Sequence, residues 1–238
     1  MRSPFHPSTP RKLSDTLQHR LNMYALAAGA GMLAAAQPAA AEVVYTPTHQ
    51  QIGDNQTVAL DLNNDGKTDF KIHQTWTCTS FCEYIVGALK ALPARSQNEV
   101  LGHVGRYYDY ASALAAGIHI GPHKKNFAAG KRVLGAGGYD AGTTSVGWCF
   151  GDWVNLKHHY LGLRFVIGGK VHFGWARLNE TCGVNGDNTA VLTGYAYETV
   201  VNQPIVAGDT GMAGNAARPA DRSLSRLARG SASDLRGN

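Results

Sequence analysis

The sequence lacks three patterns that define common classes of protein. No segment keeps a long apolar period of 3.6 residues, so a bundle of long helices is excluded. No internal repeat appears, so a solenoid of stacked repeats is excluded as well. After residue 41 no apolar run approaches the roughly 20 residues that a membrane-spanning helix needs. What remains is a chain of 238 residues, long enough for one domain with a well-buried core.

A charge bias is also absent from the middle of the chain. The formal net charge is +5, but residues 1–41 hold four basic residues and one acid, and residues 208–238 hold five arginines and three aspartates. This leaves 13 basic and 13 acidic side chains in 42–207. A nucleic-acid-binding face would concentrate basic residues on the domain itself. The sequence therefore predicts no nucleic-acid partner.

The first 41 residues predict a secretory signal peptide. Basic residues precede a weakly apolar run at 21–36, and small residues at 39–41 follow it. This is the order of a charged region, an apolar region and a cleavage site. A retained membrane anchor is the alternative, but it needs a longer and more apolar run. We expect cleavage after Ala41, a mature chain without a membrane span, and secretion to the extracellular space or the cell surface.

The last stretch, 208–238, predicts a disordered tail. It consists mainly of Gly, Ala, Ser, Arg and Asp, and it has almost no bulky apolar side chains. Such a segment cannot bury enough surface to offset the entropy that it loses on ordering. The predicted folded domain is therefore 42–207.

Cysteine is scarce, with four residues in the whole chain. An even number of cysteines in an exported protein predicts disulfide bonds. Three pairings are possible, and we favour a local link from Cys78 to Cys82 and a longer bridge from Cys149 to Cys182. Zinc is the alternative, but a zinc site usually repeats the C-x₂₋₄-C spacing, which occurs once here.

From residue 42 onward, short alternating apolar runs are separated by Gly, Asn and Asp. This pattern is typical of strands joined by tight turns. The predicted strands are 57–62, 69–76, 160–167, 171–178 and 189–198. One short helix is predicted over 110–118, with Gly121 and Pro122 as its stop signal. Strands at this spacing predict an all-β fold, a single β-sandwich or jelly roll.

The clearest hairpin spans 160–178, with the glycine pair at 168–169 as a two-residue turn. Glycine suits this turn because both central positions take a positive φ. The turn sets a register that places Gly162 opposite Trp175. Both faces of the hairpin carry apolar residues, which indicates either a strand pair covered on both sides or one that presents a binding surface. His172 is expected to be a hydrogen-bonded structural residue.

The stretch DLNNDGKTDF, at 61–70, is unusually acidic. It places oxygen groups at positions 1, 3, 5, 7 and 9 of a loop whose Gly66 lies at position 6, where a calcium loop turns sharply. These groups are the side chains of Asp61, Asn63, Asp65 and Asp69 and the carbonyl of Lys67. Without a cation, carboxylates about 5 Å apart would repel by about 3 kcal/mol per pair at an effective dielectric near 20. We therefore predict a structural calcium ion here.

Two features separate this loop from an EF-hand. Position 12 is Ile72 in place of glutamate, and the loop lies between predicted strands. It supplies about five oxygens where calcium takes six to eight, so water or a distant acid would complete the shell. The alternative is an Asp/Asn-rich turn without an ion, because these residues favour turns in any case.

Two parts of the sequence resemble a family of uncharacterised exported bacterial proteins. They are EVVYTPTHQQI with LDLNNDGKTDFKI, in 42–72, and YLGLRFVIGGKVHFGWARL with AVLTGYAYETVVNQPIVAG, in 160–208. Members of this family often end in a sorting tail of the PEP-CTERM type. The resemblance implies export, a β-rich domain and an extracellular or cell-surface setting, and it implies no activity. The tail of this chain lacks the apolar span of an anchoring signal, which favours a freely released protein.

No constellation of residues predicts catalysis, and we assign no catalytic residue. Trp175, Tyr195 and Tyr197 lie at alternating strand positions and are the candidates for stacking against a sugar ring, with core packing as the alternative. The sequence favours a secreted, non-catalytic, calcium-stabilised β-sandwich that binds an extracellular glycan or another surface component. One alternative is a glycan-active hydrolase on a jelly-roll scaffold, which needs a pair of carboxylates in a cleft. The other is a structural matrix protein, which needs no pocket.

Overall fold

The computed structural model describes residues 42–79, 83–140 and 146–211. These residues form strands joined by turns, and they contain no helix. The strands are β1 (Val43–Ile52), β2 (Thr57–Leu60), β3 (Phe70–Thr79), β4 (Tyr84–Pro93), β5 (Glu99–Val104), β6 (Asp109–Ala111), β7 (His119–Ile120), β8 (Phe127–Ala128), β9 (Arg132–Asp140), β10 (Val146–Phe150), β11 (His159–Ile167), β12 (Lys170–Cys182), β13 (Asn188–Glu198) and β14 (Ile205–Val206). The fold is all-β, as predicted.

Twelve of these strands form one continuous sheet that folds into two layers. The first layer runs β1, β13, β12, β11, and the second runs β6, β9, β4, β3, β2, with β10 also paired to β9. β5 joins the layers because its first residues pair with β11 and its last residues pair with β6. The neighbours are antiparallel except β6 and β9. The result is the sandwich-like architecture that the sequence predicts.

The main core lies between the two layers. β11 contributes Leu161, Leu163 and Phe165 from one side, while Phe70 of β3 and Leu89 of β4 come from the other. The β11 residues alternate along their strand, so they share one face. Burial of a side chain of this size contributes roughly 1.5–3 kcal/mol, which makes this face the main source of stability.

The hairpin of β11 and β12 has the predicted register. Its turn is made by Gly168, with a φ of 55°, and Gly169, with a φ of 80°, and Gly162 pairs with Trp175. The outer face of the hairpin is covered by a second apolar cluster, to which the small sheet of β7 and β14 contributes. The hairpin is therefore a strand pair covered on both sides, the first of the two alternatives.

The helix predicted over 110–118 is wrong. β6 occupies the start of this segment, and Leu114 exchanges two backbone hydrogen bonds with Tyr160, at 3.0 and 2.9 Å. The carbonyl of Ala111 accepts a bond from the indole N–H of Trp153 at 2.9 Å. A helix of two turns gains little on its own. Tertiary hydrogen bonds to other strands therefore decide the conformation.

The predicted signal peptide, 1–41, lies outside the described residues, and so does most of the predicted tail. Residues 208–211 are described, and the N–H of Gly211 donates to Asp209 Oδ1 at 2.9 Å. In the part of the chain that the structure describes, no helix is long and apolar enough to cross a membrane.

Candidate functional site

The acidic loop, residues 61–69, connects β2 to β3 and is folded by hydrogen bonds to its own backbone. Asp61 accepts the N–H groups of Asp65, at 3.1 Å, and Gly66, at 2.7 Å. Asp65 in turn accepts the N–H of Lys67 at 2.9 Å. Gly66 takes a φ of 80°, which few side chains tolerate. The sharp turn is therefore at the glycine, as the sequence predicts.

Asp69 is the buried acid of this loop. Its Oδ2 accepts the N–H of Leu62 at 2.9 Å, and its Oδ1 lies 3.7 Å from Nε of Arg95. Burial raises the pKa of the Asp69 carboxyl, against the opposing effects of the Leu62 N–H and the Arg95 charge. Nη2 of Arg95 also lies 3.6 Å from Oδ1 of Asp65. Arg95 therefore bridges two of the three aspartates.

This arrangement corrects one premise of the sequence analysis. An external cation is not the sole means of offsetting the repulsion between the acids, because Arg95 supplies a positive charge from the segment after β4. For Asp65, desolvation raises the pKa, but hydrogen bonds from the Asn63 side chain and the Lys67 N–H, together with Arg95, bring the pKa below its ordinary value. The spacing of acids along a sequence does not reveal such a partner from a distant loop.

The donor set of the loop still suits calcium. Oδ1 of Asn63 is buried and has no hydrogen-bond partner among the described residues, and Asn63 stands at loop position 3, where a calcium loop places a ligand. However, within residues 42–79, 83–140 and 146–211 no group of three or more His, Cys, Asp or Glu side chains is arranged to hold a metal ion. The loop therefore has oxygen donors of the right type, and Arg95 bridges its acids.

The three aromatic residues singled out from the sequence lie in the packing. Trp175 is completely buried, with its ring centroid 5.7 Å from that of Tyr45 and 5.1 Å from that of Tyr160. Tyr195 and Tyr197 are half-buried against the main core. The expectation that Trp175 could stack on a ligand is corrected, because its ring does not reach the surface. The two tyrosines follow the core-packing alternative.

His172 has the structural role that the sequence predicts. It is buried, and its Nδ1 lies 3.0 Å from the carbonyl oxygen of Glu198. Its ring packs against Phe165 and Tyr197. The side chain therefore ties β12 to β13 inside the domain.

The longer predicted disulfide is confirmed. Cys149 of β10 is bonded to Cys182 at the end of β12. Cys78 is also disulfide-bonded, whereas Cys82 lies outside the described residues. A thiol that is locked in a disulfide cannot bind zinc, so the zinc alternative fails for Cys149 and Cys182.

A surface that the sequence analysis missed carries several exposed apolar side chains. Between 36% and 43% of each of these residues is exposed. They are Tyr84 and Val86 of β4, Tyr108 in the turn between β5 and β6, and Trp148 and Phe150 of β10. We call this group the aromatic face. Single exposed apolar residues are ordinary, but a contiguous group of them indicates a binding surface.

The strand register explains why these side chains share one side of the sheet. Trp148 pairs with Gly138, which also pairs with Val86, and Phe150 pairs with Ala136 in the same ladder. Directly opposed residues of antiparallel strands point to the same face. A Cβ atom added to Gly138 would lie 2.8 Å from the indole of Trp148, so the absence of a side chain at Gly138 leaves room for the indole over this position.

Tyr108 extends this surface beyond β10. Its ring stacks on that of Phe150 with centroids 5.8 Å apart and an interplanar angle of 19°. It also meets the edge of Tyr110, at 6.1 Å, and Tyr110 stacks on His103 at 5.6 Å. His103 Nδ1 lies 3.5 Å from a carboxylate oxygen of Asp152. The aromatic face therefore ends in a row of supporting rings with a polar edge.

A separate cleft lies on the outer side of β11 and β12. It has a volume of about 320 Å³. Its lining includes Glu99, Lys124, Lys125, Phe127, Arg164 and Asn202. We call it the basic cleft, because it holds three cationic side chains and one carboxylate. A neighbouring depression of about 380 Å³ shares Lys124 with it and is lined by His119 and His123.

Arg164 and Glu99 are the best-defined polar pair of the basic cleft. They occupy paired positions on β11 and β5, and Arg164 Nη1 donates to Glu99 Oε2 at 2.6 Å. Both side chains are about one third exposed or less.

Comparison of the chain with protein-family models, with curated proteins and with solved structures finds no match. The chemistry of the sites themselves therefore carries the functional argument.

Proposed function

We propose that the protein is an exported, non-catalytic binding module that holds an extracellular glycan on its aromatic face, with calcium in the acidic loop as a structural ion. The observation that carries the glycan proposal is the exposed indole of Trp148 on the same face of β10 as the exposed ring of Phe150. The apolar C–H groups on one side of a sugar ring pack well against such ring faces, whose negative quadrupole attracts them. Residues two apart on a strand lie about 6.8 Å apart, so the two rings meet a ligand side by side.

Export is supported by the chemistry of the chain. A disulfide such as that between Cys149 and Cys182 persists in oxidising compartments and is rare in the cytosol. The charged, apolar and small-residue order of residues 1–41 is that of a signal peptide. Together these features favour a secreted protein, released or held at the cell surface, as the family resemblance implies.

Calcium is supported by the acidic loop. Asp61, Asn63, Asp65 and Asp69 offer side-chain oxygens, and Lys67 offers its carbonyl, at the spacing of a calcium loop. Oδ1 of Asn63 is buried and has no hydrogen-bond partner among the described residues, so an ion would satisfy it. A bound ion would brace the connection between β2 and β3 and would take no part in chemistry.

The two alternatives have less support. A glycoside hydrolase needs a pair of carboxylates on either side of the scissile bond. The lining of the basic cleft contains one carboxylate, Glu99, and it is paired with Arg164. A purely structural matrix protein has no use for an exposed aromatic face or for a preformed cleft.

A glycan array tests the proposal. The purified protein should bind a defined set of neutral glycans, and Trp148→Ala and Phe150→Ala should each weaken that binding at least tenfold, because ring contacts of this kind dominate binding surfaces. Ile118→Ala removes an exposed apolar side chain at the residue before β7, a strand that pairs with β14 and lies outside the β4–β9–β10 ladder, and it should leave binding unchanged. If the array is silent, or if Trp148→Ala binds as well as the unmodified protein, the glycan proposal is wrong.

A further inference from the structure

The basic cleft has a charge pattern that the glycan proposal does not use. Lys124, Lys125 and Arg164 bring three positive charges to a cavity of about 320 Å³, and Glu99 brings one negative charge. Exposed charges are largely hydrated, so the lysines alone would not indicate a ligand-binding site. What distinguishes the cleft is that cations, a carboxylate, the amide of Asn202 and the ring of Phe127 line one concave space.

We propose that the basic cleft binds one acidic sugar unit, meaning a polyol ring that bears a single carboxylate. Arg164 has five N–H donors in a planar fork that matches a carboxylate, and its bond to Glu99 uses one of them. Lys124 and Lys125 add positive charge at the rim. The net positive charge of the lining therefore favours a ligand with a negative charge.

Glu99 defines the ligand further. A carboxylate beside the anion site repels a phosphate, which carries nearly two negative charges, more strongly than it repels a single carboxylate. The same carboxylate accepts hydrogen bonds from hydroxyl groups, and the Asn202 side chain both donates and accepts them. Phe127 offers an apolar ring to the C–H side of the sugar. The set fits a hydroxylated ring with one carboxylate better than it fits a small inorganic anion.

Part of the lining of the cleft lies on paired strands, and such preorganisation lowers the entropy cost of binding. Arg164 and Glu99 are fixed on paired strands, and Phe127 of β8 is paired with Leu101 of β5. The loop that carries the lysines begins at Gly121, where an added Cβ atom would lie 2.5 Å from a side-chain carbon of Pro204. This close contact anchors the loop against the segment before β14.

The test is an NMR titration of the purified protein with glucuronate, glucose and inorganic phosphate. Glucuronate should shift the amide signals of residues 124–127 with millimolar or tighter affinity, while glucose should bind at least tenfold more weakly. Glucuronate affinity should also fall as salt rises, because salt screens the charges of an open cleft. Silence with glucuronate, equal binding of glucose, or tighter binding of phosphate would overturn the proposal.

The decisive variant is Lys124→Gln with Lys125→Gln, which removes two exposed cations and leaves the Arg164–Glu99 pair in place. It should weaken glucuronate binding at least tenfold. Lys71→Gln with Lys131→Gln removes two exposed lysines elsewhere and should change the affinity less than twofold. Unchanged affinity in the first variant would overturn the proposal. The site is separate from the aromatic face, so Trp148→Ala should leave glucuronate binding intact whether or not the face binds glycan.

Discussion

Glu180 of β12 and Asn188 of β13 each leave one buried side-chain oxygen without a hydrogen-bond donor among the described residues, and both oxygens face Gly135 of β9. Both residues are completely buried. Two buried acceptor oxygens that lie close together lower the free energy of unfolding unless a donor forms a hydrogen bond with them. A proton on the Glu180 carboxyl provides that donor, so the neutral form of this glutamate suits the core better than the ionised form.

The titration of Glu180 should make the protein less stable as pH rises. Burial raises the pKa of Glu180 to about 7, against the opposing effects of the Asn155 N–H and of Lys157. In the unfolded chain the carboxyl titrates at its ordinary, lower pKa, so the folded state holds more protons between the two values. The resulting stability is complete below the unfolded pKa and is lost as pH rises through about 7. The free energy of unfolding should fall by about 3 kcal/mol from this group, since each pKa unit corresponds to about 1.4 kcal/mol.

Chemical denaturation of Glu180→Gln between pH 4.5 and 8 checks this. The glutamine is neutral at every pH, and its amide can donate toward Asn188. The decline of the free energy of unfolding with pH should therefore flatten, and the variant should be more stable than the unmodified protein above pH 7. Asp54→Asn, in an exposed turn, should keep the original slope. If the free energy of unfolding of Glu180→Gln still falls with pH at the same slope, the pH dependence belongs to another group.

The acidic loop should respond to calcium more strongly when Arg95 is removed. Arg95 and a calcium ion offset the same negative charges, so Arg95→Gln leaves the aspartates more dependent on the ion. We expect EGTA to lower the Tm of the unmodified protein by several degrees and that of Arg95→Gln by more. Millimolar calcium should restore both.

Two variants separate ligation from general charge effects. Asp65→Ala should lower the Tm and abolish the response to EGTA, because it removes one of the proposed ligands. Lys67→Gln should keep the response, because position 7 contributes its backbone carbonyl. If neither the unmodified protein nor Arg95→Gln responds to EGTA, the loop is an ion-free turn whose charge is balanced by Arg95.

The turn between β11 and β12 should accept asparagine and reject valine. Gly168 has a φ of 55°, a conformation that asparagine tolerates and β-branched residues do not. Gly168→Asn should leave the free energy of unfolding unchanged or raise it by up to about 1 kcal/mol, since the unfolded chain has fewer conformations to lose. Gly168→Val should lower it by more than about 1 kcal/mol. Urea denaturation measures both, and equal stability of the two variants would contradict the turn geometry.

The β11–β12 hairpin could be predicted to the residue because its determinants are local. A glycine pair fixes the turn, and the alternation of Leu161, Leu163 and Phe165 fixes the face. The sharp turn at Gly66 could be placed for the same reason. The local sequence was therefore sufficient to predict these turns, because the residues that determine each turn lie a few positions apart.

The aromatic face could not be predicted, because exposure depends on distant segments. Trp175 and Trp148 both lie on strands, yet Trp175 is buried in the cluster that β7 and β14 complete, whereas 40% of Trp148 is exposed. β9 was missed because its glycines, such as Gly138, interrupt the alternation. Gly138 is small for a reason that the local sequence does not reveal, since the indole of Trp148 lies across it.

The basic cleft illustrates the same limit of local patterns. Arg164 and Glu99 are 65 residues apart, and only the pairing of β5 with β11 brings them together. Arg95 reaches Asp65 and Asp69 from a different loop in the same way. Residue types gave the chemistry of each site, while the topology of the sheet determined which residues meet.

The order in which the strands appear along the chain has a consequence for how the domain is made. The N–H of Glu42 donates to the carboxylate of Glu198 across a separation of 156 residues, and β1 pairs with β13 on both sides of a bulge between Pro47 and Gln50. During synthesis, β1 has no partner strand until nearly all of the domain has emerged. Assembly is therefore a late, concerted event, and a nascent fragment that stops before residue 188 presents β1 as an open template for wrong pairing.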